Sequence, residues 1–286
     1  MDQAQLARFK EWIGRTEAVT DTITPVPARL LTATIDRDDP PYKAGDALPA
    51  GWHRLYFLTA VRPGEVGEDG HPKRGEFLPP VPLPRRMFAG GRMVFHRPLR
   101  IGDTVTRTSE IMSVEGKQGK SGDLVFVTIR HGFAGAEGLA LEEFQDLVYR
   151  EEAGRSGDGA TPPVALETAP WQRTIQPNPV MLFRYSALTF NGHRIHYDHP
   201  YVTQVEGYPG LIVHGPLIAT LLLDLVRRER PQAEVAEFSF RARRPLFSPI
   251  SFTVRGWPSA DGRGVRLAAA NAEGVAAMTA EAVLRG

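Results

Sequence analysis

Apolar residues recur at helical spacing near the start of the chain, where Leu6, Phe9, Trp12 and Ile13 can share a face and Gly14 can end the helix. Two Pro-x-Pro openings, Thr24-Pro-Val-Pro-Ala-Arg-Leu-Leu31 and Gln176-Pro-Asn-Pro-Val-Met-Leu-Phe183, predict two more apolar helices. In the second, Asn178 and Pro179 supply the N-cap and first turn. Val180, Phe183, Ala187 and Leu188 then make the expected buried face, and Gly192 the expected end. From Leu211 to Val226 the chain is nearly all apolar. A helix starting near Gly215, with Pro216 in its first turn and Arg227 to Arg230 at its end, would be buried almost all round. Strands are predicted where β-branched and aromatic runs alternate with turns: Leu124–Ile129 and Glu143–Tyr149, then Phe247–Val254, Val265–Ala268 and Val275–Leu284.

These elements fall into two similar halves. Phe95-His-Arg-Pro-Leu99 precedes the strand-like residues of the first half, as Ala242-Arg-Arg-Pro-Leu246 does those of the second. With the paired Pro-x-Pro openings, they predict a duplicated unit of a helix, a second helix and an antiparallel sheet. The soft stretch Glu151–Pro170, with Gly154-Arg-Ser-Gly-Asp-Gly159 and Thr161-Pro-Pro163, is the expected linker. The expected units are therefore 1–150 and 171–286, joined by 151–170. Pro63–Pro84, ending in Pro79-Pro-Val-Pro-Leu-Pro84, reads as an extended excursion or a covering loop.

Composition narrows the function classes. With 286 residues, 42% hydrophobic and 23% charged, the chain is an ordinary globular protein. The absence of cysteine excludes disulfides, thiolate metal sites and cysteine nucleophiles. A net charge of +1 makes no electrostatic case for nucleic acid or a membrane surface. No apolar run reaches the roughly 18 to 20 residues that span a bilayer. The first residues lack the pattern of a signal peptide, so a cytoplasmic address is expected.

Four of the eight histidines lie between His193 and His214. Imidazole is the side chain best suited to moving protons near neutral pH. The segment beyond the Asn178 helix can aim side chains into a cleft, and Pro200 limits its regular continuation. At Gly215 an unpaired backbone N–H at a helix start can approach a ligand closely and face developing negative charge. An imidazole nearby would complete an acid/base and oxyanion arrangement. His193, His196 and His199 also admit a metal reading, but they lack the i, i+4 spacing of common zinc motifs. No metal is expected.

Leu188-Thr-Phe-Asn-Gly-His-Arg-Ile-His-Tyr-Asp198 followed by Ile212-Val-His-Gly215 resembles the motif of the (R)-specific enoyl-CoA hydratase, or MaoC-like, family. The whole chain is similar to its subgroup of 3-hydroxyacyl-thioester dehydratases and mesaconyl- or itaconyl-CoA hydratases, through Arg86-Met-Phe-Ala-Gly-Gly-Arg92, Phe95–Gly102 and Leu124–Tyr149. The resemblance implies an α+β double hotdog whose C-terminal unit carries the chemistry, with the N-terminal unit shaping the acyl pocket. It implies reversible water addition to an α,β-unsaturated acyl thioester on CoA or acyl-carrier protein, no separate cofactor, and a homodimer. Where the family motif has Asp, then Asn, then His, this chain has Asn191, His193 and His196. Neutral Asn191 can orient water but cannot be its base, so that role passes to His196 or His193. Gly215 takes the position of the thioester-oxygen donor. Tyr185, Asp198 and His214 are the expected substrate-side residues, with Asp198 able to orient an imidazole. Related folds also hydrolyse thioesters or merely bind them, so a thioesterase and a non-catalytic binding module are the alternatives.

Overall fold

The computed structural model describes residues 3–119, 122–151 and 166–285, so residues 152–165 of the expected linker lie outside the described part. The first half comprises α1 (Gln3–Lys10), β1 (Thr16–Thr22), α2 (Pro25–Thr34), β2 (Arg85–Phe95), β3 (Thr104–Gly119), β4 (Gly122–Gly135) and β5 (Gly138–Arg150). The second comprises β6 (Trp171–Ile175), α3 (Pro179–Leu188), α4 (Gly215–Glu229), β7 (Val235–Ala242), β8 (Phe252–Pro258), β9 (Gly264–Ala270) and β10 (Ala276–Leu284). All the strands form one sheet in the order β1-β3-β4-β5-β2-β7-β10-β9-β8-β6. Read inward from its ends, that order matches β1 to β6, β3 to β8, β4 to β9, β5 to β10 and β2 to β7. The halves are thus two copies of one antiparallel plan, joined where β2 pairs with β7 (Gly90 opposite Arg241, Met93 opposite Phe238). This is the α+β double hotdog.

Each copy opens with an edge strand, β1 or β6, which the expected helix-helix-sheet unit did not include. The junction strands β2 and β7 also escaped the pattern reading, because arginines and the Gly90-Gly91 pair dilute the β-branched content of the first.

The long helix belongs to the second half. In α4 every residue from Leu217 to Val226 is buried, as its all-round apolar sequence predicts, and the helix packs on β6, β8, β9 and β10. The one acid in that run, Asp224, is held by Arg37 at 2.7 Å, Arg173 at 3.2 Å and Arg228 at 2.7 Å. Among the described residues, the first half carries in the corresponding place α2 and a 3-10 turn over Trp52–Leu55 rather than a long helix. Space there is bounded by a buried polar group instead: Glu143 bonds His53 at 2.7 Å and also Arg54, beside His131 and Arg107. Among the described residues, no helix is long and apolar enough to cross a membrane.

Candidate active site

Asn178 caps α3 as its sequence demands, its side chain accepting from the N–H of Met181 at 2.9 Å. The buried face differs from the expected one. Leu182, Tyr185 and Ser186 face inward, whereas Val180 and Phe183 are 57% and 63% exposed. The helix carries apolar residues on both sides, so its own pattern does not choose between them. It also ends at Leu188 rather than Gly192, with Phe190 in the left-handed region at φ 47°.

Gly192 has another task. The excursion of the first half folds over the second and presses Gly70, at φ +85°, against it: a Cβ on Gly70 would lie 1.8 Å from the Gly192 carbonyl oxygen. The contact is stitched by Arg194, whose N–H donates to the Asp69 carbonyl at 2.9 Å and whose guanidinium donates to the Glu68 carbonyl at 3.1 Å. Pro63–Pro84 is therefore a cover between the two halves of the same chain.

Beyond α3, Asn191 closes a turn on its own backbone, its amide oxygen accepting from the His193 N–H at 3.0 Å. A short helical turn then brings His196 inward. Its Nδ1 lies 2.7 Å from the Ile212 carbonyl, which can only accept, so Nδ1 carries the proton and Nε2 keeps a lone pair. His196 stacks on His214 with centroids 3.6 Å apart, and its other neighbour is His193 at 5.4 Å, nearly perpendicular. His193 in turn lies 4.0 Å from His71, contributed by the excursion. Asp69 grips His71 twice: one carboxylate oxygen accepts from its N–H at 3.0 Å, the other from Nδ1 at 2.9 Å.

Burial governs the charge state of this cluster. It pushes His196 down to about 4, against the raising effect of the Ile212 bond, and pushes His193, His71 and His214 down as well. Burial would raise the Asp69 carboxyl, yet the bond and charge of His71 hold it below the usual carboxylate range. At neutral pH the imidazoles are neutral proton acceptors, and Asp69 carries the cluster's negative charge.

His71, His193 and His196 line a cavity of about 1350 Å³ built from both halves, together with Asn191, Tyr185 and Gly215. Gly215 is the first residue of α4, so its N–H has no partner within the helix. Across the cavity its nearest neighbour is Phe88 of β2, 3.4 Å from where a Cβ would stand.

Two expected substrate-side residues stand elsewhere. Asp198 orients no imidazole: one carboxylate oxygen takes the Arg194 guanidinium at 2.7 and 2.9 Å, the other accepts from the Tyr201 N–H at 3.1 Å. That cap starts a helical turn containing Pro200, so the proline begins local helix instead of limiting it. His214 is fully buried behind His196, its Nε2 2.8 Å from the Ser186 hydroxyl, and it is absent from the cavity lining. Tyr185 does line the cavity, edge-on to His214 at 5.0 Å. His199 is exposed, so the histidine triplet read from the sequence does not assemble. Among the described residues, the group with metal-ligating geometry is instead Asp69, His71 and His193, whose donor atoms lie within 4.8 Å of one another. Both Asp69 oxygens already serve His71, which suits the carboxylate to orienting an imidazole.

A duplicated hotdog sheet with a cavity running between its halves, ending on neutral imidazoles and a free helix N–H, defines a MaoC-like scaffold. Solved structures agree on the fold. A MaoC-like dehydratase from Phytophthora capsici superposes with TM-score 0.69 at 16% identity, covering 98% of each chain. A Mycobacterium tuberculosis protein described as a double hotdog gives 0.61 at 13%, covering 96% of each. The family model for hydroxyacyl-thioester dehydratase type 2 matches residues 51–248, and the chain belongs to that family of hydro-lyases. It is 44% identical over 284 residues to the mesaconyl-C(4)-CoA hydratase of Chloroflexus aurantiacus, covering 98% of this chain and 99% of that protein. It is 30% identical over 226 residues to the mitochondrial hydroxyacyl-thioester dehydratase type 2 of Schizosaccharomyces pombe, covering 70% and 75%.

Proposed function

We propose that the protein adds water reversibly across the double bond of an α,β-unsaturated acyl-CoA, with an acyl group of the mesaconyl type. The observation that carries this reading is the fixed tautomer of His196, whose bond to Ile212 leaves Nε2 as a base lining the cavity that Gly215 also lines. The likeness to mesaconyl-C(4)-CoA hydratase supports the acyl class and CoA as its carrier.

The chemistry follows the charges. Water adds through its oxygen to the β-carbon while His196 Nε2 takes one of its protons. The electron pair of the double bond moves toward the thioester, and the carbonyl oxygen gains negative charge against the Gly215 N–H, where the helix dipole adds stabilisation. The α-carbon then takes a proton from the imidazolium, so H and OH are added in sum and the base is restored. Dehydration reverses each step. Asn191 holds the His193 backbone in place, and Asp69 with His71 supplies the anion that Asn191 cannot, stabilising the cluster while it carries a proton.

A product assay tests the reading. Incubation with mesaconyl-C(4)-CoA is expected to give the hydroxyacyl-CoA with no free thiol, measured by mass spectrometry and a thiol reagent. Release of free CoA would instead identify a thioesterase, and acyl-CoA binding without turnover a binding module.

The pH dependence is a second expectation. Because the folded His196 titrates near 4 rather than at its ordinary 6.5, kcat/KM should hold its acid-side plateau below pH 6.5 and fall only as pH approaches 4. Stability moves differently. Between those values the unfolded chain binds more protons at this histidine than the folded one, so stability is full above pH 6.5 and is lost as pH falls toward 4. Thermal melts and initial rates across this window separate the two effects; an activity limb at pH 6.5 would contradict the assignment of the base.

A further inference from the structure

We propose that Arg86 receives a free carboxylate on the acyl group and so selects dicarboxylic monothioesters. This deepens the hydratase reading and rests on it.

Arg86 lies on β2 and lines the cavity close enough to His71 and His193 for its charge to act on both. Its neighbours are spoken for. Arg85 pairs with Glu206 at 3.5 Å, Arg54 is bound by Glu143, Arg194 pairs with Asp198 at 2.7 Å, and Arg74 donates to the carbonyls of Val81, Leu83 and Pro84. Among the described residues no carboxylate stands within ion-pair distance of Arg86, and the nearby Asp69 spends both oxygens on His71. Directly across the ladder on β5 is Tyr149, fully buried and near enough to Arg86 for the charge to act on its phenol. Its hydroxyl lies against the Arg86 guanidinium and backs it from outside the cavity lining. A neutral phenol leaves the guanidinium charge uncompensated, so an anion entering the cavity gains a counter-charge there.

The placement also fits the reaction. Alternate residues of a strand share a face about 6.6 Å apart, so Arg86 and Phe88 project together. Phe88 touches the Gly215 end of the cavity, where the thioester oxygen would sit, and Arg86 stands on the side of the imidazoles. In an acyl group of the mesaconyl-C(4) type the free carboxylate is borne by the β-carbon, the atom that receives the hydroxyl. It must therefore lie beside the histidines that hold the water, and a planar guanidinium matches its two oxygens. Arg54, Arg107 and Arg150 also line the cavity with an unpaired Nε, but Glu143 neutralises Arg54, Glu17 pairs with Arg107, and Arg150 stands opposite Arg85, one step farther along the ladder from Phe88 than Arg86 is.

The test compares two substrates on the full-length protein, mesaconyl-C(4)-CoA and crotonyl-CoA, which lacks the carboxylate. Arg86→Met is expected to lower the mesaconyl-to-crotonyl ratio of kcat/KM by about 100-fold, mainly through KM. Equal loss on both substrates, or an unchanged ratio, would overturn the proposal. If Arg86→Met does not fold, Arg86→Gln reads the same ratio. Wild-type protein that hydrates crotonyl-CoA but not mesaconyl-C(4)-CoA would refute this assignment alone; hydration of neither would remove the reading beneath it.

Discussion

His196→Ala is expected to lower hydration by at least about 1000-fold, the upper part of the range for loss of a positioned acid/base group. The effect should appear in kcat, because in the proposed mechanism the ring acts on the attacking water rather than on the acyl chain. The ring is 7% exposed, and its removal leaves the Ile212 carbonyl without its partner and His214 without its stacked neighbour. Some stability must go with it, about 1 to 3 kcal/mol for the unpaired buried acceptor. Circular dichroism and a thermal melt therefore accompany the rate measurement, so that lost chemistry is separated from lost fold. His214→Ala is the contrast. That imidazole supports the His196 ring from behind and lines no part of the cavity, so its loss should cost activity only through the position of His196. A folded His196→Ala protein turning over near the wild-type rate would remove this residue as the base.

Much of this site was legible in the chain itself. Gly215-Pro216 ahead of a nearly all-apolar run predicts α4 nearly to the residue, and Asn178-Pro179 predicts the start of α3, because caps and first-turn prolines act over a few residues. The hydratase motif places His193, His196 and Gly215 around one cavity for the same reason: their relation depends on short connections. Asp69 and His71 could not be found this way. They lie more than 100 residues from His193 and inside a Gly- and Pro-rich stretch whose composition says only that it is irregular. The available signal was local, an Asp two residues before a His with Gly70 between them, which permits the carboxylate to fold back on the ring. Asp198 shows the opposite error. Its nearness in sequence to the histidines suggested a shared task, but Arg194 lies one helical turn away and takes it.

Gly70→Ala carries the second large expectation, a fall of about 100-fold in kcat/KM with the global fold retained. The residue sits at φ +85°, where a side chain is strained, and its Cβ would stand 1.8 Å from the Gly192 oxygen and 2.8 Å from the Gly192 carbon. Neither neighbour is a side-chain end that can rotate away, so the two backbones must separate. What moves is the segment carrying Asp69 and His71, held to the catalytic turn by the bonds from Arg194 to the Asp69 and Glu68 carbonyls. Displacement of about 1 Å at a reacting centre is enough to cost two orders of magnitude. The core clusters lie away from this contact, so the thermodynamic penalty should stay near 1 to 3 kcal/mol, roughly that of local overpacking and strain. Gly64→Ala is the matched control, since that glycine has open space around it and an ordinary φ. Asp69→Asn completes the comparison by keeping the loop in place while removing its charge. If Gly70→Ala retains full activity, the excursion is a cover only; if it and Asp69→Asn both lose activity while Gly64→Ala does not, the first half of the chain supplies part of the chemistry performed in the second.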